Sequence, residues 1–318
     1  MADLKPKVSI IGCGNVGMRY AYALLLKGVV RQIILVDVDR KRLEGEVMDL
    51  SHGAPYISPV EIIAGDYPDI RNSDLVVITA GKKQKPNQTR LDLAKDNVEI
   101  YRKIIPEIVK YASSAILLIV SNPVDVLSYA AYKFSSKPAK EVIGSGTVLD
   151  TARFRFLLSK HCKVDPRNVH AYILGEHGDS EFPVWSRAMI GGVLFKDYCL
   201  ICKETSTCQH DKELNKIFME VRDSGYKIVE RKQETSYGIG LALVRITQAI
   251  INDEKAILPV SSLVEDYLGT NDVYSSLPAV IDKEGVREVL KIELTPQEEQ
   301  AFKNSANAIR RAIKETGL

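Results

Sequence analysis

His177 stands in Gly175-Glu176-His177-Gly178-Asp179, just after a β-rich run and between glycines that leave its ring accessible. An imidazole titrates near neutrality, which suits it to general acid–base work. Alone it is more often structural, so its partners matter. Asp150 and Arg153 lie three residues apart near the start of a helix expected over 148–160, on nearly the same face. A carboxylate beside a guanidinium there is suited to orienting a histidine and clamping a substrate carboxylate; the plainer alternative is a surface ion pair. Arg155 is roughly 200° around the helix from Arg153 and must face elsewhere.

A second chemistry is written in Gly12-Cys13-Gly14-Asn15-Val16-Gly17, a G-x-G-x-x-G between an expected strand and an expected helix. Gly12 permits the tight turn, Gly14 lets backbone approach a pyrophosphate, and Gly17 lets helix and strand pack closely. The N–H groups of Asn15, Val16 and Gly17 open the helix, where the dipole favours phosphate. Asp37 ends the next strand, 20 residues after Gly17, where a carboxylate meets a ribose 2′-OH. That acid would repel a 2′-phosphate, so NAD is expected rather than NADP, although Arg40 and Arg42 stand close by. Gly81 and Asn122-Pro123 follow two further strands at the edge where open α/β sheets bind ligands. Residues 82–90 form a polar, basic loop, read either as a solvated surface or as a lid that carries a cation to an anionic substrate.

The elements that position these groups show as alternation. Runs at 8–12, 32–37, 60–64, 75–79 and 115–120 are rich in Val, Ile and Leu without polar alternation, as strands buried on both faces are. Helical stretches at 16–27, 40–51 and 91–111 separate them. This predicts an α/β fold, with an N-terminal doubly wound parallel sheet of the Rossmann type. The second half reads as a mixed α+β domain. Its helices are expected at 148–160, 211–231 and 237–251, a strand-like run at 170–174, and antiparallel strands at 255–267 and 273–292. Thr295, Pro296 and Glu298 make a capping box for a last helix whose Phe302, Ala306, Ile309 and Ile313 recur at helical spacing. The division is expected near residue 145: 1–145 for the dinucleotide, 146–318 for substrate binding and catalysis.

Composition bounds the rest. The 318 residues are 45% hydrophobic and 26% charged, which excludes a disordered chain, a collagen and a coiled coil. No apolar run approaches the roughly 18 residues of a membrane helix. A net charge of +2, without long blocks of like charge, gives no nucleic-acid footprint. Five cysteines are too few for a disulfide scaffold, and no signal-peptide pattern appears, so a cytoplasmic enzyme is expected.

The stretches IIGCGNVGM, ILVD, AGKKQKPNQTRLDL, SNPVD, GSGTVLDTARFR, GEHGDSEFPVWS and ETSYGIGLA occur in this order along nearly the whole chain. In them the chain resembles the lactate/malate dehydrogenase family, most closely its bacterial L-lactate dehydrogenase branch. The resemblance implies NAD-dependent interconversion of pyruvate and L-lactate in fermentative metabolism, by a homotetramer. It implies His177 as proton donor and acceptor, Asp150 as its carboxylate partner, and Arg153 as anchor of the substrate carboxylate. Arg90 would be the lid arginine that polarises the carbonyl. Asn122 and Thr235 would lie against substrate, and Asn122 and Ile239 against the nicotinamide. Arg155 and His170 match residues that bind fructose 1,6-bisphosphate in regulated members; an interface without that effector is the alternative. Malate or another 2-hydroxy acid dehydrogenase is the competing activity, and a non-catalytic NAD-binding protein the competing class, although His177, Asp150, Arg153 and Arg90 are all present. The chain departs from the family at Lys232-Gln233-Glu234-Thr235, where Lys-Gly-Ala-Thr is usual. Cys199, Cys202, Cys208 and His210 loosely resemble a zinc knuckle in a variable loop, and no metal is expected.

Gln84 matches the lid position that reads the substrate's third carbon; malate dehydrogenases carry an arginine there. Gln84→Arg is therefore expected to shift preference toward oxaloacetate, whose second carboxylate gains a bidentate partner. Truncating one member of a buried charge pair typically costs about 2–5 kcal/mol, and supplying the missing member corresponds to roughly 30- to 4,000-fold in kcat/KM for oxaloacetate. Measurement of kcat/KM for both keto acids in wild type and variant checks this. A preference ratio that moves less than about tenfold, the worth of one modest interaction, contradicts it.

Overall fold

A computed structural model describes residues 6–82, 90–198 and 210–318, apart from the side chains of residues 90, 91, 210 and 211. Six strands form the parallel half of the sheet: β1 (Lys7–Ile11), β2 (Gln32–Val36), β3 (Glu61–Ala64), β4 (Leu75–Ile78), β5 (Ile116–Ile119) and β6 (Val142–Gly144). Their spatial order is β3-β2-β1-β4-β5-β6, paired in parallel throughout. The order reverses between β1 and β4, and the carboxyl ends there open the crevice in which such sheets bind dinucleotides. Helices α1 (Asn15–Lys27), α2 (Arg40–His52), α3 (Arg90–Tyr111) and α4 (Val124–Ser135) are the crossovers.

Side-chain alternation sorts the strands into two cores. Ile11, Ile34, Val36, Val76, Ile78, Leu117 and Ile119 face the α3 and α4 side. Val8, Ile10, Ile33, Leu35, Leu75, Val77 and Leu118 face α1. The two sets interleave residue by residue, as a period of two requires when both faces are covered.

Two elements of this half differ from the expectation. α4 has no counterpart among the expected helices, because Val124 to Ala131 are all buried and the helix has little polar face to betray its period. β6 is three residues long and too short to carry a pattern.

The second half holds α5 (Val148–Cys162), α6 (Phe195–Tyr198), α7 (His210–Lys232), α8 (Tyr237–Ile251) and α9 (Pro296–Glu315). The run at 170–174 is split: β7 (Val169–His170) joins β10 (Met189–Ile190) and β11 (Val193–Leu194), while β8 (Ile173–Leu174) pairs with β9 (Phe182–Pro183). The antiparallel region comprises β12 (Ala256–Val264), β13 (Val273–Asp282) and β14 (Gly285–Val289). These strands do not make a sheet of their own. Ser261 of β12 pairs with Gly144 of β6, so one nine-stranded sheet continues across residue 145. At α9 the expected capping box forms, with Thr295 N–H donating to the Glu298 carboxylate at 2.9 Å.

α8 lies against α1. Gly240 brings the two backbones together, since a Cβ there would lie 3.2 Å from the Arg19 carbonyl carbon. Tyr20 and Thr247 share a hydroxyl hydrogen bond of 2.6 Å in the same interface. A helix of the second half thus braces the helix whose N-terminus carries the glycine loop. Among the described residues, no helix is long and apolar enough to cross a membrane.

Candidate active site

The three glycines of the first loop do different work. Gly12 has φ +97°, and a Cβ there would fall on the Ala80 backbone. A Cβ on Gly17 would fall on the Gly12 carbonyl oxygen, so both positions are closed to larger residues. Gly14 is the open one: nothing lies within 4 Å of its Cβ direction, which leaves room for a ligand against the backbone. It also caps α1 without a side-chain hydrogen bond. The N–H groups of Asn15, Val16 and Gly17 precede the first intrahelical donor, Met18, which donates to Gly14 O at 2.9 Å. Three donors at the positive end of a helix dipole therefore face the opening beside Gly14.

Asp37 is held at the end of β2 by two backbone donors, Cys13 N–H at 2.6 Å and Asp39 N–H at 2.9 Å. The nearby cations are already committed. Arg40 pairs with Glu44 at 3.0 Å and donates to Gly65 O at 3.0 Å. Arg42 pairs with Glu46 at 3.2 Å. The arrangement suits a ribose diol and leaves a 2′-phosphate facing a carboxylate, so the residues fit NAD. Cys13, within this loop, is 3% exposed, and burial together with the Asp37 charge pushes its thiol up to about 12. A reactive thiolate is not available there.

Across the crevice, β4 leads into Gly81 and β5 leads into Asn122. Asn97 of α3, 1% exposed, joins the two ends: it accepts from Lys82 N–H at 2.7 Å and donates to Asn122 O at 2.8 Å. The Asn122-Pro123 bond is cis, and Asn122 is left exposed at the sheet edge. Asn97 was not singled out from the sequence. Its signal was a polar residue on the buried stripe of α3, between Ala94 and Tyr101.

The structure brings His177, Asp150 and Arg153 together. Asp150 Oδ2 lies 2.6 Å from His177 Nδ1, and Asp150 Oδ1 accepts from Arg153 at 2.8 Å. The Asp150 side chain is 3% exposed, against 17% for Arg153 and 27% for His177. One buried carboxylate is thus shared between two cationic groups that open outward. Burial alone would pull the imidazole down. The Asp150 charge and hydrogen bond override it, and the ring is raised from 6.5 to about 9. Burial likewise opposes ionisation of Asp150, yet His177 and Arg153 hold its carboxyl below the ordinary range.

Two acids beside this pair were missed in the sequence. Glu181 is 6% exposed, and its donor oxygen lies within 4.8 Å of those of Asp150 and His177. Burial and the Asp150 charge push its carboxyl well above the ordinary range. Asp125, 2% exposed, accepts from His177 N–H at 2.8 Å and from Ser261 Oγ at 2.6 Å. Neither had a local signal, because both gain their surroundings from distant elements.

The remaining residues fall as follows. Ile239, like Val16 and Leu149, is partly buried against the core on the α1 side of the sheet. Thr235 is half-buried beside Ser236, the residue before α8. Glu234, the acidic departure from the family pattern, faces Lys232 at 3.5 Å and Arg19 at 4.0 Å. Arg155 points away from Arg153, as its angle on α5 requires, donating to Ala171 O at 3.0 Å and stacking on Tyr172. That places it beside the segment of the exposed His170. Gln84, Cys199, Cys202 and Cys208 lie outside the described residues, as do the side chains of Arg90 and His210.

With this geometry in hand, comparison with known proteins is decisive for class. Residues 6–144 match the lactate/malate dehydrogenase NAD binding domain, and residues 147–317 match the alpha/beta C-terminal domain of the same family. The chain belongs to the lactate/malate dehydrogenase family. It is 50% identical to an L-lactate dehydrogenase of Kosmotoga olearia over 97% of this chain and 95% of that protein. It is 48% identical to one of Acetivibrio thermocellus over 97% and 96%. Among solved structures, the minor L-lactate dehydrogenase of Enterococcus mundtii in a ligand-bound form superposes with a TM-score of 0.93 at 39% identity, covering 97% of this chain and 98% of that one. A lactate dehydrogenase from a Medee basin deep-sea metagenome library also gives 0.93, at 45% identity, covering 98% and 99%.

Asp150→Asn removes the charge that holds the imidazolium. Pyruvate reduction needs protonated His177, so kcat/KM is flat below the free-enzyme pKa and falls above it. Wild type is expected to fall through about pH 9. The variant should fall well below that, because the strongest raising influence on the ring is gone while burial still pulls it down. A pH–rate profile of both proteins checks this; an unmoved midpoint contradicts it. The same shift stabilises the fold: the raised pKa contributes fully below the unfolded value and is lost as pH rises through about 9.

Proposed function

We propose that the chain is an NAD-dependent L-lactate dehydrogenase that interconverts pyruvate, NADH and a proton with L-lactate and NAD⁺. The observation that carries this reading is the buried Asp150 carboxylate shared by His177 at 2.6 Å and Arg153 at 2.8 Å, in a chain whose near-full-length relatives bear that name. NADH supplies the hydride; the protein supplies orientation and charge. Gly12, Gly14, Asn15, Val16, Gly17, Asp37, Gly81, Asn122 and Ile239 would hold the dinucleotide.

Arg153 spends one nitrogen on Asp150 and keeps its remaining donors for the substrate carboxylate, a planar fork on a planar anion. His177 has its Nδ1 committed to Asp150, so Nε2 is the atom that gives the proton to the carbonyl oxygen. With its pKa raised to about 9, the ring carries that proton at neutral pH before substrate arrives. As the proton leaves, the ring stays oriented by Asp150, and the reverse reaction returns the proton to the same nitrogen. Arg90 would polarise the carbonyl and Gln84 would face the methyl group, with Asn122 and Thr235 completing the pocket.

Residues 1–145 and 146–318 are read as the dinucleotide and substrate domains, and the assembly as a cytoplasmic homotetramer. His177→Asn is expected to keep NADH affinity while turnover falls by roughly 10²–10⁴, the usual worth of general acid catalysis. NADH absorbance with pyruvate, and separately with oxaloacetate, measures this. Near-normal turnover in the variant would remove His177 from the mechanism, and oxaloacetate preferred by the wild type would favour a malate dehydrogenase.

Fructose 1,6-bisphosphate is proposed as an effector at Arg155 and His170, supported by the shared position of Arg155 and the 170–172 segment. Replacement of either by Gln should raise the activating concentration and leave basal turnover in place. A wild-type pyruvate saturation curve indifferent to the effector contradicts this.

A further inference from the structure

Behind the His177 imidazole, charged groups from three elements converge on one acid. Asp150 and Arg153 come from α5, Arg222 from α7, and His177 from the loop after β8; all four act on the Glu181 carboxyl. The others are already committed. Asp150 bonds His177 and Arg153 at 2.6 and 2.8 Å. Arg222 pairs with its own neighbour Asp223 at 3.2 Å. Glu181 is left over. It stands just before β9, where its N–H donates to Gly178 O at 3.2 Å, and it is 6% exposed. Its Oε1 is buried and meets no hydrogen-bond partner among the described residues.

An ionised Glu181 would bring a second anion beside Asp150, with one oxygen buried and unmatched, which is the costly way to bury a carboxylate. Two carboxylates that share a buried site do not ionise together; one is held protonated. Asp150 has the two bonded cations and stays ionised, so the proton falls to Glu181. Burial and the Asp150 charge push its carboxyl above the ordinary range, and His177, Arg153 and Arg222 offset this only in part. The protonated acid leaves the site with a net charge. Arg153 and protonated His177 against Asp150 give one positive charge in excess, while Arg222 is cancelled by Asp223. That excess matches one substrate carboxylate. An ionised Glu181 would consume it, and an incoming carboxylate would meet a neutral, partly buried site.

We infer that Glu181 gates substrate binding: the site takes the pyruvate carboxylate with Glu181 protonated and repels it once Glu181 ionises. The inference rests on the proposed pyruvate site, and Glu181 acts there on binding rather than on the hydride step. Both Glu181 and His177 must carry a proton for the anion to bind, so a substrate that arrives after either has lost one draws it back from water. Binding is thus linked to two protons, where the acid–base pair alone accounts for one. The two groups titrate as a pair, because each sits in the field of the other. Glutamine copies the shape and neutrality of the protonated acid and cannot ionise.

The test compares wild type with Glu181→Gln. One readout is the number of protons taken up when oxamate, an unreactive isostere of pyruvate, binds the enzyme–NADH complex, followed with an indicator dye. The other is kcat/KM for pyruvate against pH. On the alkaline side, wild-type uptake should rise above one proton per site and approach two; the variant, left with His177, should not exceed one. Above both titrations, kcat/KM should fall about 100-fold per pH unit in wild type and about tenfold in the variant. Equal uptake in the two proteins overturns the inference. So do equal slopes, the result of a role in packing alone. If Glu181→Gln does not fold, the wild type decides: uptake above one proton supports the gate, and uptake that stays at or below one overturns it. A wild type that neither binds oxamate nor oxidises NADH with pyruvate defeats the substrate reading instead. The protonation of Glu181 is then read by ¹³C NMR of carboxyl-labelled glutamate, its signal assigned by loss in the variant. Titration above the ordinary carboxylate range supports it, and titration within that range overturns it.

Discussion

The site turns on a single buried anion. Asp150 gives one oxygen to His177 and the other to Arg153, at 2.6 and 2.8 Å. In water each of these contacts would be worth little, but a carboxylate that is 3% exposed has exchanged its hydration for these two partners. Loss of either partner leaves one carboxylate oxygen buried without its cation, and breaking a buried pair in this way typically costs about 3–5 kcal/mol. The same constraint does the chemical work. It holds the imidazole protonated at neutral pH, and it fixes the neutral tautomer with its proton on Nδ1, so that Nε2 is the nitrogen that gives and takes the catalytic proton. It also holds one guanidinium nitrogen, so the Arg153 fork is oriented before an anion arrives.

The fold can be read as the means of keeping that anion in place. Asp150 and Arg153 come from the first turns of α5. Thr147, just before α5, donates its hydroxyl to Ile173 O at 2.5 Å and its N–H to Ser276 Oγ at 3.1 Å. His177 arrives from the loop after β8, held by β13, α9 and Asp125 of α4. The sheet that supplies β13 is continuous with the one whose first loop offers Gly14 and three free N–H groups to a pyrophosphate. α8 against α1 at Gly240 closes the connection from the other side. Dinucleotide loop and acid–base pair are therefore parts of one packed body rather than two lobes that meet by chance.

Much of this was legible in the residues. The G-x-G-x-x-G with Asp37, the spacing of Asp150 and Arg153, and the glycine-flanked His177 are local patterns, and each has a mechanical reason to look as it does. Asp125, Asn97 and Glu181 were not legible, because tertiary contacts define their roles. Asp125 meets His177 across 52 positions, and Asn97 reaches Asn122 across 25. A single buried polar residue in an apolar helix carries no sign of its distant partner. The continuity of the sheet was hidden for a related reason: the join is one residue pair, Ser261 with Gly144, at the edge of a three-residue strand. α4 escaped because a helix buried nearly all round loses the periodicity by which helices are recognised.

Asp150 keeps His177 protonated in the free enzyme at neutral pH. The most direct measurement is an NMR titration of the His177 ring with ¹⁵N-labelled histidine, its signal among the five histidines assigned by difference from His177→Asn. The account predicts an imidazolium at pH 7 that titrates near pH 9, with Nδ1 keeping its proton toward Asp150 in both states. A ring that titrates at or below 6.5, or one whose neutral form carries its proton on Nε2, would contradict it.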